Sequence, residues 1–219
     1  MIHEPRDVIP EPLSRVVEPL PYWFVIGGQA VRCLCPYRPS RDVNFGVRTA
    51  RDLDDLVEQL GKSGVTEILE RAKDTVHLRW TGINVSVFML AKLAPFTEER
   101  RLSVRGIVAT NLHAILDRGL RRDFFDLYVT MQTQQVGIAE CLSAMAEVYA
   151  QPINQSLLLR ALTYFEDAER EAQLPGEGKA DWTAVKDFFI TRVGNLLVPP
   201  ARRLEIQERR VDVRAKADG

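Results

Sequence analysis

The sequence has few of the residues that mark a disulfide-stabilised, membrane-spanning or strongly basic protein. Three cysteines occur in 219 residues, an odd and small number that favours a reducing cytoplasm over a disulfide framework. No apolar run approaches the ~20 residues of a membrane helix. The N-terminus has no basic segment followed by an apolar one, so we expect no signal peptide. The 29 basic and 30 acidic residues leave a net charge of −1, which excludes a polycationic nucleic-acid binder.

A glycine pair follows the first apolar segment of the chain. Trp23–Ile26 is predicted to be a strand, and Gly27 and Gly28 come directly after it. A helix is expected from about residue 29 to residue 34. Glycine lets the backbone approach a phosphate closely, and the N-terminus of a helix favours an anion. The stretch is therefore a candidate phosphate-binding turn.

Three polar side chains alternate in the segment that follows. Arg38, Ser40 and Asp42 occupy every second position, and alternate residues of an extended segment share one face. That face therefore offers a cation, a hydroxyl group and a carboxylate.

The hydrophobic period changes near residue 108. Before it, alternation predicts strands over residues 66–69, 75–80, 83–90 and 102–107, with a helix over 51–60. After it, apolar residues recur at helical spacing. The predicted fold class is α+β, with an N-terminal mixed sheet and flanking helices in 1–107, a C-terminal helical bundle in 108–200, and a flexible charged tail in 201–219.

Two blocks of the sequence carry a family resemblance. GG-Q-A followed by R-x-S-x-D-x-N, and LHAILDRGLRRDFFDLY at residues 112–128, resemble segments of the DNA-polymerase-β-like nucleotidyltransferases, specifically the AbiEii/AbiGii-type toxins. The resemblance implies a nucleotidyltransferase-like N-terminal domain that uses Mg²⁺ and NTP, with tRNA or a protein as acceptor. It also implies a cognate antitoxin or other partner protein, and a bacterial role in abortive infection and phage defence.

The same resemblance assigns the site residues. Nucleotide binding falls to Gly27, Gly28, Gln29, Arg38, Ser40, Arg118, Arg122 and Asp123. Catalysis falls to Asp42, Asn44 and Ser86, with Asp42 as the metal ligand.

Three positions depart from the family pattern. Asn44 replaces the second carboxylate of a D-x-D motif, Ser86 replaces a carboxylate on a later strand, and Asn111 stands where a lysine is often found. Losing carboxylates removes the charge on which cation affinity largely depends. A two-metal mechanism is therefore hard to sustain, whereas the glycine pair and Arg38 need no metal to bind phosphate.

Two hypotheses for the function follow. One is an enzyme of weakened activity with a metal site reorganised around Asp42; the other is a catalytically dead relative that acts as a protein-interaction or regulatory module.

The second block also has two interpretations. It either lies on the nucleotide side of the cleft or forms an ion-pair lattice in which Arg122 and Asp126 are i,i+4 partners. His77 is expected on an exposed strand face.

Overall fold

The computed structural model describes residues 3–40, 42–179 and 181–197. Within these ranges the strands are β1 (Phe24–Val25), β2 (Val43–Val47), β3 (Thr66–Arg71), β4 (Thr75–Trp80), β5 (Ile83–Met89), β6 (Thr97–Glu98) and β7 (Arg101–Leu102). They form one mixed sheet in the order β3-β4-β5-β2-β1-β7-β6. The β2–β5 and β1–β7 pairs are parallel, and the other neighbours are antiparallel.

Helices precede, flank and follow this sheet. They are α1 (Pro5–Val8), α2 (Glu11–Val17), α3 (Gly27–Leu34), α4 (Ala50–Ser63), α5 (Val104–Asp117), α6 (Arg121–Gln134), α7 (Ile138–Tyr149), α8 (Gln155–Ala161), α9 (Glu166–Glu169) and α10 (Asp181–Leu197), with a 3₁₀ turn at Ala94–Phe96. The predicted α+β class, a mixed sheet with flanking helices that is followed by further helices, is confirmed.

The alternation of side chains gives the sheet two different faces. Apolar residues of β2, β4 and β5 point to one face and are buried, namely Val43, Phe45, Val47, Val76, Leu78, Trp80, Val85 and Val87. Helix α4 covers this face with its own buried leucines, and the Trp80 indole donates a hydrogen bond of 3.0 Å to the Leu60 carbonyl. The opposite face is polar, because the intervening positions carry Asp42, Asn44, Ser86 and His77.

A two-residue turn sets the register between β4 and β5. Thr81 and Gly82 both have positive φ, at 47° and 83°, which is the geometry of a type I′ hairpin. The turn pairs Trp80 with Ile83 and therefore places His77 opposite Ser86. A residue expected on an exposed face is thus half-buried beside a predicted site residue.

The segment after β7 departs from the predicted strand over 102–107. β7 ends at Leu102, and Ser103 caps α5 by accepting a hydrogen bond of 3.3 Å from the Gly106 amide. The prediction was wrong because short apolar alternation also occurs in the first turn of a buried helix. The cap satisfies a backbone donor that would otherwise be unpaired.

One continuous core extends from Val8 to Val193. In its helical part, Phe124 packs against the rings of Phe165, Trp182 and Phe189, with centroids 5.2 to 5.9 Å away. Among the described residues, no helix is both long and apolar enough to cross a membrane. The predicted tail, residues 201–219, lies outside the described ranges.

Candidate functional site

The polar face of the sheet forms one wall of a cavity of about 450 Å³. Helices α3, α5 and α6 supply the other walls, and Tyr149 at the end of α7 contributes its ring. Nearly all of the predicted site residues line this cavity: Gly27, Gly28, Arg38, Ser40, Asp42, Asn44, Ser86, Arg118, Arg122 and Asp123. A volume of this size is within the range of small-ligand sites.

The floor of the cavity consists of two adjacent rows of polar side chains. In the first row the Asp42 carboxylate lines the cavity and accepts a hydrogen bond of 3.2 Å from the amide of Asn84, which lies outside the lining. In the second row Asn44 is level with Ser86 on the neighbouring parallel strand, and the Ser86 hydroxyl lies 2.8 Å from His77 Nδ1. The sheet therefore presents one carboxylate among neutral oxygen and nitrogen groups.

The glycine pair lies where α3 begins. Gly27 has φ +56°, a left-handed conformation that favours glycine. A Cβ added at Gly28 would come within 3.1 Å of Arg38 Nη2 and 3.3 Å of Ser40 Oγ. The helix starts at Gly27, two residues earlier than expected, so the glycines themselves form its N-terminus.

Arg38 is held by a carboxylate from the helical half of the chain. Its Nε and Nη2 donate to the two oxygens of Asp126 at 3.2 and 2.7 Å, and the Tyr37 hydroxyl donates to the same carboxylate at 2.5 Å. Burial raises the pKa of Asp126, while the bonds from Arg38 and Tyr37 oppose that shift and favour the ionised form. Burial likewise raises the pKa of Tyr37, so its hydroxyl keeps its proton.

The second sequence block contributes side chains to the cavity and also forms an ion pair. Arg118 donates to both oxygens of Asp123 at 2.9 and 2.8 Å, and this pairing raises the Arg118 pKa. The predicted pair between Arg122 and Asp126 does not form, because Asp126 binds Arg38 instead. Arg122 lines the cavity and makes no ion pair with the described residues.

Gln29 is not among the residues that line the cavity. Its side chain is buried, its amide nitrogen donates to the Asp42 carbonyl at 3.3 Å, and its amide oxygen accepts from Arg32 at 3.0 Å. With the Ser40 hydroxyl, which donates to the same carbonyl at 3.1 Å, it positions the backbone of Asp42. The structure thus places Gln29 behind the site rather than in it.

Two residues that line the cavity were not predicted to belong to the site. His77 was expected on an exposed strand face, and Asn111 was noted only because it departs from the family pattern. The position of His77 beside Ser86 could have been predicted from the hairpin, because a two-residue turn at 81–82 pairs residue 77 with residue 86. No local sequence pattern predicts that Asn111 is buried at the cavity. Its burial depends on how α5 packs against the rest of the chain.

The donor set does not fit a two-metal centre. Of the three carboxylates that line the cavity, Asp123 and Asp126 are bonded to arginines, which leaves Asp42. In the described part of the chain, no three His, Cys, Asp or Glu side chains come together in a way that could hold a metal ion. Mg²⁺ prefers several oxygen ligands that include carboxylate, and Asp42 alone does not supply such a set.

Comparison with known proteins identifies the family. Residues 83–200 match the family described as "Nucleotidyl transferase AbiEii toxin, Type IV TA system". The chain belongs to the AbiEii nucleotidyltransferase toxin family. As an AbiEii family member it resembles the uncharacterized protein aq_aa25 of Aquifex aeolicus (strain VF5), with 26% identity over 184 residues, 80% of this chain and 88% of the relative.

Two crystal structures share the fold of this AbiEii family member. One is a candidate nucleotidyltransferase from H. pylori, with TM-score 0.51, 14% identity, and coverage of 85% of this chain and 93% of the other. The second is JHP933 from Helicobacter pylori, with TM-score 0.52, 13% identity and coverage of 93% of each chain. At these identities the likeness concerns the fold alone.

Proposed function

We propose that this AbiEii family member binds a nucleotide in the cavity and that nucleotidyl transfer from NTP to RNA or protein is weakened or lost. The observation that carries the proposal is the contrast between the two sides of the cavity. Gly27, Gly28 and Arg38, which are suited to phosphate binding, line the cavity, whereas Asp42 is the one described carboxylate of the lining that is not bonded to an arginine. Phosphate can be bound by backbone amides and guanidinium groups without a metal.

Each part of the cavity has a role in this proposal. The N-terminus of α3, opened by Gly27 and Gly28, contacts the phosphate through backbone amides. Arg122 and the paired Arg38 and Arg118 supply positive charge around it. Asp42, Asn44 and Ser86 occupy the catalytic positions, but Asn44 and Ser86 are neutral and contribute little to cation binding.

Calorimetry with ribonucleotides tests the binding part of the proposal. We expect binding that persists when EDTA removes divalent ions. Gly28→Val provides the site variant, because its side chain would fill the space beside Arg38. Gly61→Val, at a helix position with open space around it, provides the matched control. Absence of binding to the folded wild-type protein would contradict the proposal.

Incubation with labelled NTP, Mg²⁺ or Mn²⁺, and tRNA or cell lysate tests the transfer part. We expect little or no transfer from the wild type. Asn44→Asp combined with Ser86→Asp is expected to raise Mg²⁺ affinity and metal-dependent transfer, because it returns two negative charges to the floor of the cavity. Efficient transfer by the wild type that disappears in Asp42→Ala would instead establish a working enzyme.

The biological setting is part of the same proposal. The type IV toxin–antitoxin description of the family supports a cognate antitoxin as partner, and a role in phage defence is proposed with it. tRNA or a protein is the proposed acceptor for any residual transfer. Cys33, Cys35 and Cys141 are free thiols, which agrees with the proposed cytoplasmic location, where thiols stay reduced.

One observation favours the alternative, a catalytically dead protein-interaction module. Strand β3 lies at the edge of the sheet, and Val65, Ile68 and Leu69 near it are 83%, 46% and 50% exposed. An edge strand with exposed apolar side chains is suited to pairing with another chain. If no nucleotide binds and Ile68→Lys abolishes association with the antitoxin, this alternative replaces the first proposal.

A further inference from the structure

Asn111 carries a polar group that no described residue satisfies. The residue is only 6% exposed, it lines the cavity, and its Nδ2 atom is buried without a hydrogen-bond partner in the described residues. A buried donor left unpaired is costly and uncommon in native proteins. An acceptor on a bound ligand would remove that cost.

The described lining of the cavity has a formal charge of zero. It contains equal numbers of guanidinium and carboxylate groups: Arg38, Arg118, Arg122, Asp42, Asp123 and Asp126. Two of the arginines are already bonded to carboxylates. The charges left are those of Arg122 and Asp42, which cancel formally, so the surplus that attracts an anion is about half a positive charge at the N-terminus of α3, with Arg122 as the unpaired guanidinium that can contact it.

This balance suits a ligand with one phosphate better than a ligand with three. A phosphate monoester carries about −1.5 to −2 at neutral pH, whereas a triphosphate carries roughly four negative charges. Charge that enters a partly buried site without compensation is strongly disfavoured. The usual substrate of the family is an NTP with metal ions, and family members often have a lysine where this chain has Asn111. Because Asn111 is neutral, the cavity has less positive charge than a cavity that contains the lysine.

The dimensions of the cavity fit the same ligand. Asn111 and Ala114 line it from α5, and Arg118 lines it from the position directly after that helix. The cavity volume of about 450 Å³ lies within the range of sites that hold small ligands. An amide both donates and accepts, so Asn111 is suited to the edge of a nucleobase or to a ribose hydroxyl.

We propose that the ligand of this cavity is a nucleoside monophosphate, with Asn111 bonded to the nucleoside and Arg122 to the phosphate. The inference rests on the proposed nucleotide-binding function and narrows it. Asn111 acts here as a specificity residue, because a lysine at this position would favour the more highly charged triphosphate.

The first test compares ligands on the wild-type protein and needs no variant. Calorimetry with nucleoside, monophosphate and triphosphate forms of each common ribonucleotide is carried out in EDTA. At least one monophosphate is expected to bind about tenfold or more tightly than both its triphosphate and its nucleoside. A triphosphate that binds as tightly as its monophosphate overturns the inference but leaves the proposed function intact. If no form binds, the proposed function itself fails.

The second test changes Asn111. Asn111→Leu is expected to weaken monophosphate binding about tenfold without lowering the melting temperature, because it removes a buried unpaired donor at similar volume. Asn111→Lys is expected to reverse the preference toward the triphosphate. Asn195→Leu and Asn195→Lys, on an exposed part of α10, are the matched controls.

The melting temperature distinguishes a ligand contact from a structural role. Unchanged monophosphate affinity in a folded Asn111→Leu protein would overturn the role of the amide, since the donor would then be satisfied by water. Affinity and melting temperature that fall together would assign Asn111 to the fold and overturn its role as a specificity residue. Loss of affinity at unchanged melting temperature is the supporting result.

Discussion

The ion pair between Arg38 and Asp126 joins the glycine turn to the helical half of the chain, and its removal has a calculable cost. The side chains of Arg38 and Asp126 are 12% and 5% exposed. Asp126→Asn keeps the shape of the carboxyl group but leaves the guanidinium nearly buried without an opposite charge. Breaking a buried pair in this way typically costs about 3–5 kcal/mol, so we expect a loss of that size in the free energy of unfolding.

Urea and thermal unfolding provide the assay. For a chain of this length, each kcal/mol corresponds to about 2–4 °C, so the melting temperature should fall by between about 6 and 20 °C. Asp167→Asn is the matched control, because Asp167 pairs with Arg170 at the surface, where the two side chains are 47% and 73% exposed. A pair of that kind contributes no more than about 1 kcal/mol.

If Asp126→Asn lowers the free energy of unfolding by no more than the Asp167→Asn control does, the predicted cost of breaking the buried ion pair is refuted. Asparagine closely resembles a protonated carboxyl group, so a small effect would mean that Asp126 is not ionised beside Arg38. Burial, which raises the Asp126 pKa, would then outweigh the three hydrogen bonds that favour the charged form. Arg38 would also be free to bind phosphate directly.

Two further perturbations test other parts of the fold. Glu177→Gln should cost about 3 kcal/mol at pH 7, since it leaves Arg121 buried without its partner. Hydrogen bonds from Arg121 lower the Glu177 pKa, so the difference from wild type should shrink as the pH falls below about 4.3; a constant difference in urea titrations would contradict this. Gly46→Ala should cost about 2 kcal/mol, because its Cβ would lie 2.4 Å from the Phe24 ring. Gly61→Ala, in open space on α4, should gain up to about 1 kcal/mol, and equal effects from both glycine changes would contradict the packing argument.

Local patterns were sufficient for the hairpin of β4 and β5. The period-2 segments at 75–80 and 83–90 form β4 and β5, and the turn at Thr81-Gly82 is where the sequence placed it. Backbone preferences of this kind depend on residues a few positions apart, so they can be read along the chain. The segment 102–107 was misassigned because its alternation is too short to separate a strand from the start of a capped helix.

The family, the α+β class and the residues around the glycine turn were determined by the sequence alone, since motifs and periodicity are local properties. Only the tertiary structure decided which charged side chains of the cavity are paired with one another and which remain available to a ligand. Arg38 and Asp126 are 88 positions apart. Because they pair, the i,i+4 ion pair between Arg122 and Asp126 that the sequence suggested does not form. The unpaired amide of Asn111 was likewise visible only after packing. Ion pairing and burial depend on which distant surfaces meet, and linear spacing does not encode that.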